Sequence, residues 1–203
     1  MEKLLKFLGF LLIGGGALLL FLIYGPIIKE EVSYQERKIT LSRSEDNGTR
    51  GVKKEVTPVS EDFGLMIERL GINVQVFADT DANNPKEYLP ILLKGVAHAK
   101  GSVFPGQEGN VFIFAHSSNA PLSISRYNAV FYLIDKLESG DGVDIFYQGS
   151  KYKYEVTEKV IATPDMVAPY VKEHATGKSL TLQTCYPAGT ALKRLLVIAK
   201  EID

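Results

Sequence analysis

The chain has 203 residues, 45% of them apolar and 23% charged, which is enough for one globular domain with accessory segments. Its formal net charge of −1 gives no electrostatic basis for a nucleic-acid partner, which would favour a basic surface. Because Cys185 is the only cysteine, the sequence excludes an internal disulfide framework and any metal site made of several thiolates.

An uncharged apolar segment near the N-terminus predicts a membrane anchor. Residues 7–28 begin with FLGFLLIGGGALLLFLIY and carry no charge, which satisfies the length of about 20 residues needed to span a bilayer. Lys3 and Lys6 precede the segment, so residues 1–6 are expected to be a cytoplasmic tail. A cleavable signal peptide is the alternative, but Tyr24 and the Gly-Pro pair after it make a poor cleavage site. We therefore expect a single-pass cell-membrane protein whose remaining residues are extracytoplasmic.

The composition changes after the apolar segment. Residues 29–62 are dense in charge, contain Asn47-Gly48 and lack a sustained apolar face. Such a stretch is typical of a solvated stalk or linker, with room for a short helix over residues 30–41.

The sequence from residue 63 to residue 203 predicts one all-β domain. Short apolar runs rich in β-branched and aromatic residues alternate with turn residues, and Gly149-Ser150 is the expected turn of one hairpin. Many short strands with few helices indicate a closed or nearly closed β-barrel. The strands expected after the first apolar runs are 110–115, 142–148, 151–163, 179–184 and 193–200, and the short helices are 85–93, 128–133 and 164–172.

Cys185 is a candidate nucleophile because of its place at the end of the strand SLTLQT. Strand alternation puts it on the side of Thr181 and Gln183, away from Leu180 and Leu182. A thiol at a strand end beside a loop is accessible in a way that a mid-strand thiol is not. A small buried apolar side chain is the alternative reading of a lone cysteine.

A cysteine nucleophile needs a base, and the sequence offers three histidines. His116 ranks first because it ends the apolar strand NVFIFAH and begins a polar loop, where scaffolds present functional side chains. His98 lies in the loop GVAHAKG and could equally be structural. His174 ranks last, since VKEHATGK reads as solvated surface.

Arg194 is the candidate for stabilising the oxyanion of an acyl-transfer reaction. It begins the final strand nine residues after Cys185, so a strand, loop and returning strand would place it beside the thiol. Its guanidinium offers a fixed charge and several donors where negative charge forms. A strand-end arginine facing water is the alternative, and Lys193 is expected to face the opposite side.

Three motifs in this order resemble the sortase family, the membrane-anchored cysteine transpeptidases of bacterial cell surfaces. They are TLQTC ending at Cys185, GNVFIFAH ending at His116, and RLLVIA beginning at Arg194. The similarity runs from about residue 63 to the C-terminus, and the apolar segment with its charged stalk agrees with the family's usual architecture.

The resemblance implies an eight-stranded β-barrel with short helices, preceded by the transmembrane helix. Cys185 would attack the threonine carbonyl of an LPxTG-like sorting signal in a secreted protein, forming a thioester. The acyl group would then pass to an amine, from a peptidoglycan precursor or crossbridge or from a lysine of a pilin or surface protein. His116 would serve as acid and base and Arg194 would stabilise the oxyanion.

The same resemblance suggests a set of substrate-binding residues. Thr184 and Leu182 belong to the motif strand, and Val167 and Ala168 could line an apolar pocket for a Leu-Pro unit. No metal or organic cofactor is implied; some members of the family bind calcium, but no acidic cluster stands out here.

The subclass and the exact activity stay open at the level of sequence. No apolar segment follows the barrel up to Asp203 and no lid motif occurs in the stalk, which favours a single-anchor, housekeeping-like type over a pilin-polymerising sortase. A hydrolytic cysteine peptidase would use the same thioester, with water as the acceptor. A surface adhesin with Cys185 packed in its core is the non-enzymatic alternative.

Overall fold

The computed structural model describes residues 2–46, 56–117 and 130–202. The chain forms two compact units, Met1–Gly51 and Val52–Asp203. The first contains a single described element, helix α1 (Glu2–Asp46), and the second contains the β-barrel.

Helix α1 runs across the expected boundary between anchor and stalk. It continues without a break to Asp46, so the first half of the expected stalk is helical and longer than the short helix anticipated there. Within the described residues, no helix combines the length and the apolar character needed to cross a membrane. The anchor expected over residues 7–28 is therefore not supported, and the division into tail, anchor and stalk stays a prediction.

The second unit is a closed barrel, which confirms the all-β class. The eight strands in the described part of the chain are β1 (Phe63–Ile67), β2 (Ile72–Thr80), β3 (Val96–Ala99), β4 (Asn110–Phe114), β5 (Gly142–Tyr147), β6 (Ser150–Ala162), β7 (Ser179–Tyr186) and β8 (Lys193–Ile202). Their order around the barrel is β1-β2-β3-β4-β7-β8-β6-β5, and β5 closes the barrel by pairing antiparallel with β1.

Strand alternation separates an inner face from an outer face. In β7, Leu182 pairs with Ile113 of β4 and with Val197 of β8, and each of these side chains has 0% exposure. Burying such side chains stabilises a fold by roughly 1.5–3 kcal/mol apiece. These residues define the inner face, and the residues of opposite parity in β4, β7 and β8 define the outer face.

Short helices connect the strands close to where the sequence placed them. They are α2 (Pro85–Leu92) and α3 (Val167–His174), with 3-10 turns at Glu68–Leu70, Ile134–Lys136 and Pro164–Met166. The helix expected over 128–133 begins outside the described residues, and its described part forms turns that lead into the 3-10 segment.

The β5–β6 hairpin turns one residue earlier than its sequence suggested. Tyr147 pairs with Ser150, so the two loop residues are Gln148 and Gly149, with φ of 50° and 76°. Two consecutive positive φ angles are typical of the type I′ turn, whose twist matches that of antiparallel strands.

The segment just before β1 lies against the barrel instead of being free stalk. The Val59 amide donates to Asn73 Oδ1 at 2.8 Å, and Asn73 Nδ2 donates to the Thr57 carbonyl at 2.9 Å. Asn73 in β2 therefore holds the chain where it enters the barrel.

Candidate active site

Three neighbouring strands place the three candidate catalytic residues in one row. Cys185 near the end of β7 pairs directly with Arg194 at the start of β8. On the other side of β7, Phe114 of β4 pairs with Gln183. His116 lies two residues after Phe114 and Cys185 lies two residues after Gln183, so the two residues are level with each other. Because paired strands lie about 4.8 Å apart, the order His116, Cys185, Arg194 forms a compact row. We call it the catalytic row.

The catalytic row lies on the outer face of the barrel. Cys185 has the parity opposite to Leu182, as strand alternation predicted, and it is half-buried. His116 and Arg194 are also half-buried. Since all three keep part of their surface exposed, a peptide can reach the thiol from outside the barrel.

Two hydrogen bonds fix the backbone leading to His116 against β7. The Ala115 amide donates to the Gln183 carbonyl at 3.1 Å, and the Thr184 hydroxyl donates to the Ala115 carbonyl at 2.9 Å. The second bond is buried. The strand register is thus extended past the end of β4 up to the residue that precedes His116.

His116 is held through its own backbone and stays neutral near pH 7. Its carbonyl accepts a hydrogen bond from the amide of Phe131, a residue with 0% exposure, at 3.2 Å. Burial lowers the pKa of His116 below its ordinary value of 6.5, because desolvation disfavours the charged imidazolium. A neutral imidazole can accept a proton from a thiol or an amine.

Arg194 keeps donors available beside the thiol. Its Nη1 atom donates to the carbonyls of Ala191 at 3.1 Å and Lys193 at 3.0 Å. The other guanidinium nitrogens have no partner among the described residues. The two backbone bonds orient the group, and the remaining donors can meet an oxyanion that forms on a carbonyl attacked by Cys185.

His98, the second-ranked histidine, is buried inside the barrel and lies away from the catalytic row. It pairs with Ile113 on the inner face and has 0% exposure. The Asp79 amide donates to its Nδ1 at 3.3 Å, while Nε2–H donates to the Val103 carbonyl at 3.1 Å and contacts Ser102 Oγ at 2.8 Å. Both ring nitrogens are therefore satisfied in the neutral form.

His174 packs against Tyr170, whereas its surroundings in the sequence suggested a solvated position. It ends α3, its ring stacks on Tyr170 with centroids 3.9 Å apart, and its Nδ1–H donates to the Tyr170 carbonyl at 3.0 Å. Burial and a hydrogen bond to Glu158 raise the pKa of Tyr170 to about 12. This cluster ties α3 to β6 and does not join the catalytic row.

The expected substrate-binding residues separate into two groups. Leu182 has 0% exposure on the inner face, so a direct contact with substrate is not compatible with its position. Thr184 is 3% exposed and its hydroxyl donates to the Ala115 carbonyl, so it stabilises the backbone next to His116 from the inner face. Val167 is half-buried and Ala168 exposed at the start of α3, where a bound peptide could reach them, and their role stays a prediction.

Sequence reasoning missed one feature of this site. The Ala115 carbonyl accepts a hydrogen bond from the Thr184 hydroxyl, and a side-chain pattern does not indicate a backbone partner. Gln183 has the same parity as Cys185 and lies two residues before it along β7, as strand alternation predicted. No group of three or more histidine, cysteine or carboxylate side chains able to hold a metal ion occurs in residues 2–46, 56–117 and 130–202.

The chain belongs to the sortase family. The family description "Sortase domain" matches residues 65–202, which covers the whole barrel apart from the first residues of β1. Members of this family are cysteine transpeptidases associated with the cell surface.

Individual relatives come from several sortase classes. Sortase D of Bacillus subtilis (strain 168) is 26% identical over 141 residues, which are 68% of this chain and 62% of that protein. Sortase A from Corynebacterium diphtheriae, in a lid mutant, is 25% identical with a TM-score of 0.55, covering 74% of each chain. Sortase C of Streptococcus pneumoniae, studied for its pilin substrate specificity, is 25% identical with a TM-score of 0.56, covering 69% of this chain and 67% of that one. Classes A, C and D are all represented.

Proposed function

We propose that this chain is a cysteine transpeptidase that acts through a thioester on Cys185. The observation that carries the proposal is the catalytic row, in which a half-exposed thiol lies between a neutral histidine and an arginine whose other donors have no partner among the described residues. Family membership supports the same reaction.

The first half of the proposed reaction forms the acyl-enzyme. His116 accepts the thiol proton, and the Cys185 sulfur attacks the substrate carbonyl to give a tetrahedral intermediate. Arg194 donates hydrogen bonds to the oxyanion. The carbon–nitrogen bond then breaks, the imidazolium of His116 protonates the leaving amine, and a thioester remains on Cys185.

The second half transfers the acyl group to an incoming amine. Neutral His116 takes a proton from that amine as it attacks the thioester, and Arg194 again stabilises the oxyanion. The thiolate leaves and recovers its proton from His116, so the enzyme returns to its starting state without a cofactor.

We propose an LPxTG-like sorting signal in secreted proteins as the acyl donor, on the basis of the motif resemblance. The acceptor would be an amine of a peptidoglycan precursor or of another surface protein. The single-anchor, housekeeping-like assignment rests on the sequence alone. A pilin-polymerising activity is the second candidate, favoured by the similarity to Sortase C of Streptococcus pneumoniae, and a pilin lysine would then be the acceptor.

The decisive experiment incubates the full chain with sorting-signal peptides and an amine, and follows products by mass spectrometry. We expect an adduct on Cys185 and an amide product, both absent in Cys185→Ala. Full activity of that variant would overturn the proposal. Titrating the amine separates transfer from hydrolysis, because a hydrolytic peptidase would release free acid at every amine concentration.

We also propose that the uncharged run within residues 7–28 tethers the enzyme to the cell membrane. Its support is the sequence of that run and the cell-surface setting of the family. Fractionation of cells that express the full chain tests the proposal: recovery in the membrane fraction after a high-salt wash is expected. Release by salt alone would contradict it.

A further inference from the structure

The loop between β7 and β8 is closed by one threonine. Thr190 donates to the Pro187 carbonyl twice, from its amide at 3.0 Å and from its hydroxyl at 2.8 Å. The last pair of the two strands is Tyr186 with Lys193, so this turn lies directly beyond the ladder. We call residues 187–190 the Thr190 turn.

The residue after the Thr190 turn contacts the guanidinium of the catalytic row. Arg194 donates from Nη1 to the Ala191 carbonyl at 3.1 Å and to the Lys193 carbonyl at 3.0 Å. A continuous path of covalent and hydrogen bonds therefore leads from Cys185 along β7, through the Thr190 turn, to Ala191 and back to the end of the arginine side chain.

Strand pairing fixes only the backbone of Arg194. Cys185 pairs with it directly, but the guanidinium lies at the end of a long side chain with several rotatable bonds. That side chain is half-buried, and its loop neighbours, residues 187–192, are all exposed. Packing therefore restrains it less than it restrains a core side chain, and the two carbonyls direct its end.

The two carbonyls are held in different ways. That of Lys193 belongs to the paired part of β8, so the ladder fixes it. That of Ala191 lies beyond the ladder. In the part of the chain that the structure describes, the loop's own hydrogen bonds are the two that Thr190 donates. The position of the Ala191 carbonyl therefore depends on Thr190.

A guanidinium that is directed before the reaction costs less to use during it. An arginine that samples many conformations loses that freedom when it meets an oxyanion, which raises the barrier. Donors that already point to the place where charge forms avoid this loss. Because Arg194 meets an oxyanion in both halves of the proposed reaction, its orientation matters twice.

We propose that Thr190 is a positioning residue of the transpeptidase reaction. By closing the turn on Pro187, it holds the Ala191 carbonyl in place. That carbonyl in turn directs the Arg194 guanidinium towards a substrate carbonyl bound at Cys185. The proposal rests on the proposed function, and it assigns a role in catalysis to a residue outside the catalytic row.

The first test compares steady-state kinetics of full-length variants with a sorting-signal peptide of the LPxTG type and an amine. Thr190→Val removes the hydroxyl donor but keeps the amide donor. It should lower kcat about three- to tenfold, the value of one hydrogen bond, with KM nearly unchanged. Thr190→Ser keeps the hydroxyl and should retain the wild-type kcat. An unchanged kcat in Thr190→Val would overturn the proposal.

Thr80→Val is the matched control. The Thr80 hydroxyl also donates to the carbonyl three residues before it, that of Phe77, at 3.3 Å. Thr80 ends β2, which is parallel to β3, and β3 is antiparallel to β4, so it lies at the end of the barrel opposite to the catalytic row. The kcat of this variant should equal that of the wild type. Equal losses of kcat in Thr80→Val and Thr190→Val would show a general effect on stability instead of positioning.

A double-mutant cycle asks whether Thr190 acts through the arginine. In Arg194→Ala, adding Thr190→Val should lower kcat no further, because the side chain that the turn directs is gone. The same factor of loss in both backgrounds would show that Thr190 acts by another route, and the proposal would be wrong.

Side-chain NMR relaxation of the Arg194 Nε–H group measures its restraint without any substrate. The group should be more mobile in Thr190→Val than in the wild type or in Thr80→Val, and equal mobility in all three would overturn the proposal. If the wild type is acylated and Thr190→Val alters neither kcat nor mobility, the positioning role is wrong and the transpeptidase proposal stands. If no peptide acylates Cys185 in the wild type, the proposed function itself fails and the positioning role falls with it.

Discussion

Thr184 and Cys185 are adjacent in β7, but their side chains lie on opposite faces and serve the site differently. Cys185 is half-exposed on the outer face, whereas the Thr184 hydroxyl is buried and bonded to the Ala115 carbonyl. Because Ala115 precedes His116, this bond fixes the backbone next to His116 relative to β7. In the proposed reaction Thr184 would therefore act as a positioning residue, in contrast to the substrate contact that the motif suggested.

We expect Thr184→Val to lower kcat by roughly 10- to 100-fold with a much smaller change in KM, because small misplacement of a reacting group is costly. The buried Ala115 carbonyl would also lose its partner, at a cost of about 1–3 kcal/mol in folding free energy. Steady-state kinetics and chemical denaturation measure both effects.

Thr181→Val is the matched control for this prediction. Thr181 is also fully buried in β7, and its hydroxyl donates to Asn110 Oδ1 at 3.0 Å, away from the catalytic row. It should lower stability while leaving kcat near the wild-type value. Thr184→Ser, which keeps the hydroxyl, should recover most of the lost turnover. Equal loss of kcat in both valine variants would show that Thr184 acts through stability alone.

Arg194 offers a second prediction at the scale of a single residue. Arg194→Lys should lower kcat by roughly 10²–10³, because one ammonium group cannot reproduce the planar set of donors. Lys193→Met is the control, since Lys193 is exposed and adjacent strand residues face opposite sides. Near-wild-type turnover of Arg194→Lys would transfer the oxyanion role to backbone amides.

At the scale of elements, a lysine of β6 binds the described end of the loop that leads into β5. Lys159 of β6 donates from Nζ to the carbonyls of Asp135 at 2.5 Å and Leu137 at 2.8 Å. The same loop contains Phe131, whose amide binds the His116 carbonyl. Lys159 therefore stabilises the segment whose Phe131 amide binds the His116 carbonyl.

Replacing Lys159 with methionine should cost about 1–2 kcal/mol of folding free energy, since two charge-assisted bonds to carbonyls are lost from an exposed position. Hydrogen exchange of residues 131–137 should become faster in the same variant. Lys153→Met is the control, because Lys153 is an exposed lysine of the same strand with no hydrogen bond in the described residues. Identical exchange in both variants would exclude a specific role of Lys159.

Sequence periodicity predicted the elements well where one physical pattern dominates. The period of two in SLTLQTC assigned the outer face to Cys185, and the end of NVFIFAH separated His116 from the buried His98. The family motif, and not the periodicity, suggested the substrate role of Leu182. A motif is contiguous in sequence while its residues alternate between faces, and Leu182 is fully buried on the inner face. The hairpin turn lies one residue earlier than predicted, because Gln148 adopts a positive φ that a glutamine side chain does not indicate.

At the scale of the whole molecule, the barrel could be predicted and the site only in outline. Short strands and turns indicated the all-β class, and the resemblance supplied the eight strands. The parallel pairing of β4 with β7, which brings His116 beside Cys185, joins strands about 70 residues apart. Local patterns carry no information on such a pairing, so only the motifs suggested that the two residues meet.

His98, which is buried, and His116, which is half-buried, give the barrel a common dependence on pH. Burial lowers the pKa of both His98 and His116 below 6.5; for His98 the bond to Val103 and the charge of Asp79 oppose the shift without cancelling it. The unfolded chain therefore binds more protons than the folded chain once the pH falls below 6.5. The stability that these two histidines contribute should be constant above that pH and decrease as the pH falls through the lowered folded values.

Urea denaturation of the wild type at pH 7.5, 6.5 and 5.5 tests this dependence, in a range where most carboxylates stay ionised. We expect the free energy of unfolding to fall between pH 6.5 and 5.5, and to fall less in His116→Gln, which removes one of the two titrating groups. The remaining slope in that variant belongs to His98, whose neutral form alone satisfies both the Asp79 amide and the Val103 carbonyl. A free energy of unfolding that stays level or rises on acidification would contradict the assignment, because protonation would then be as favourable inside the barrel as in water.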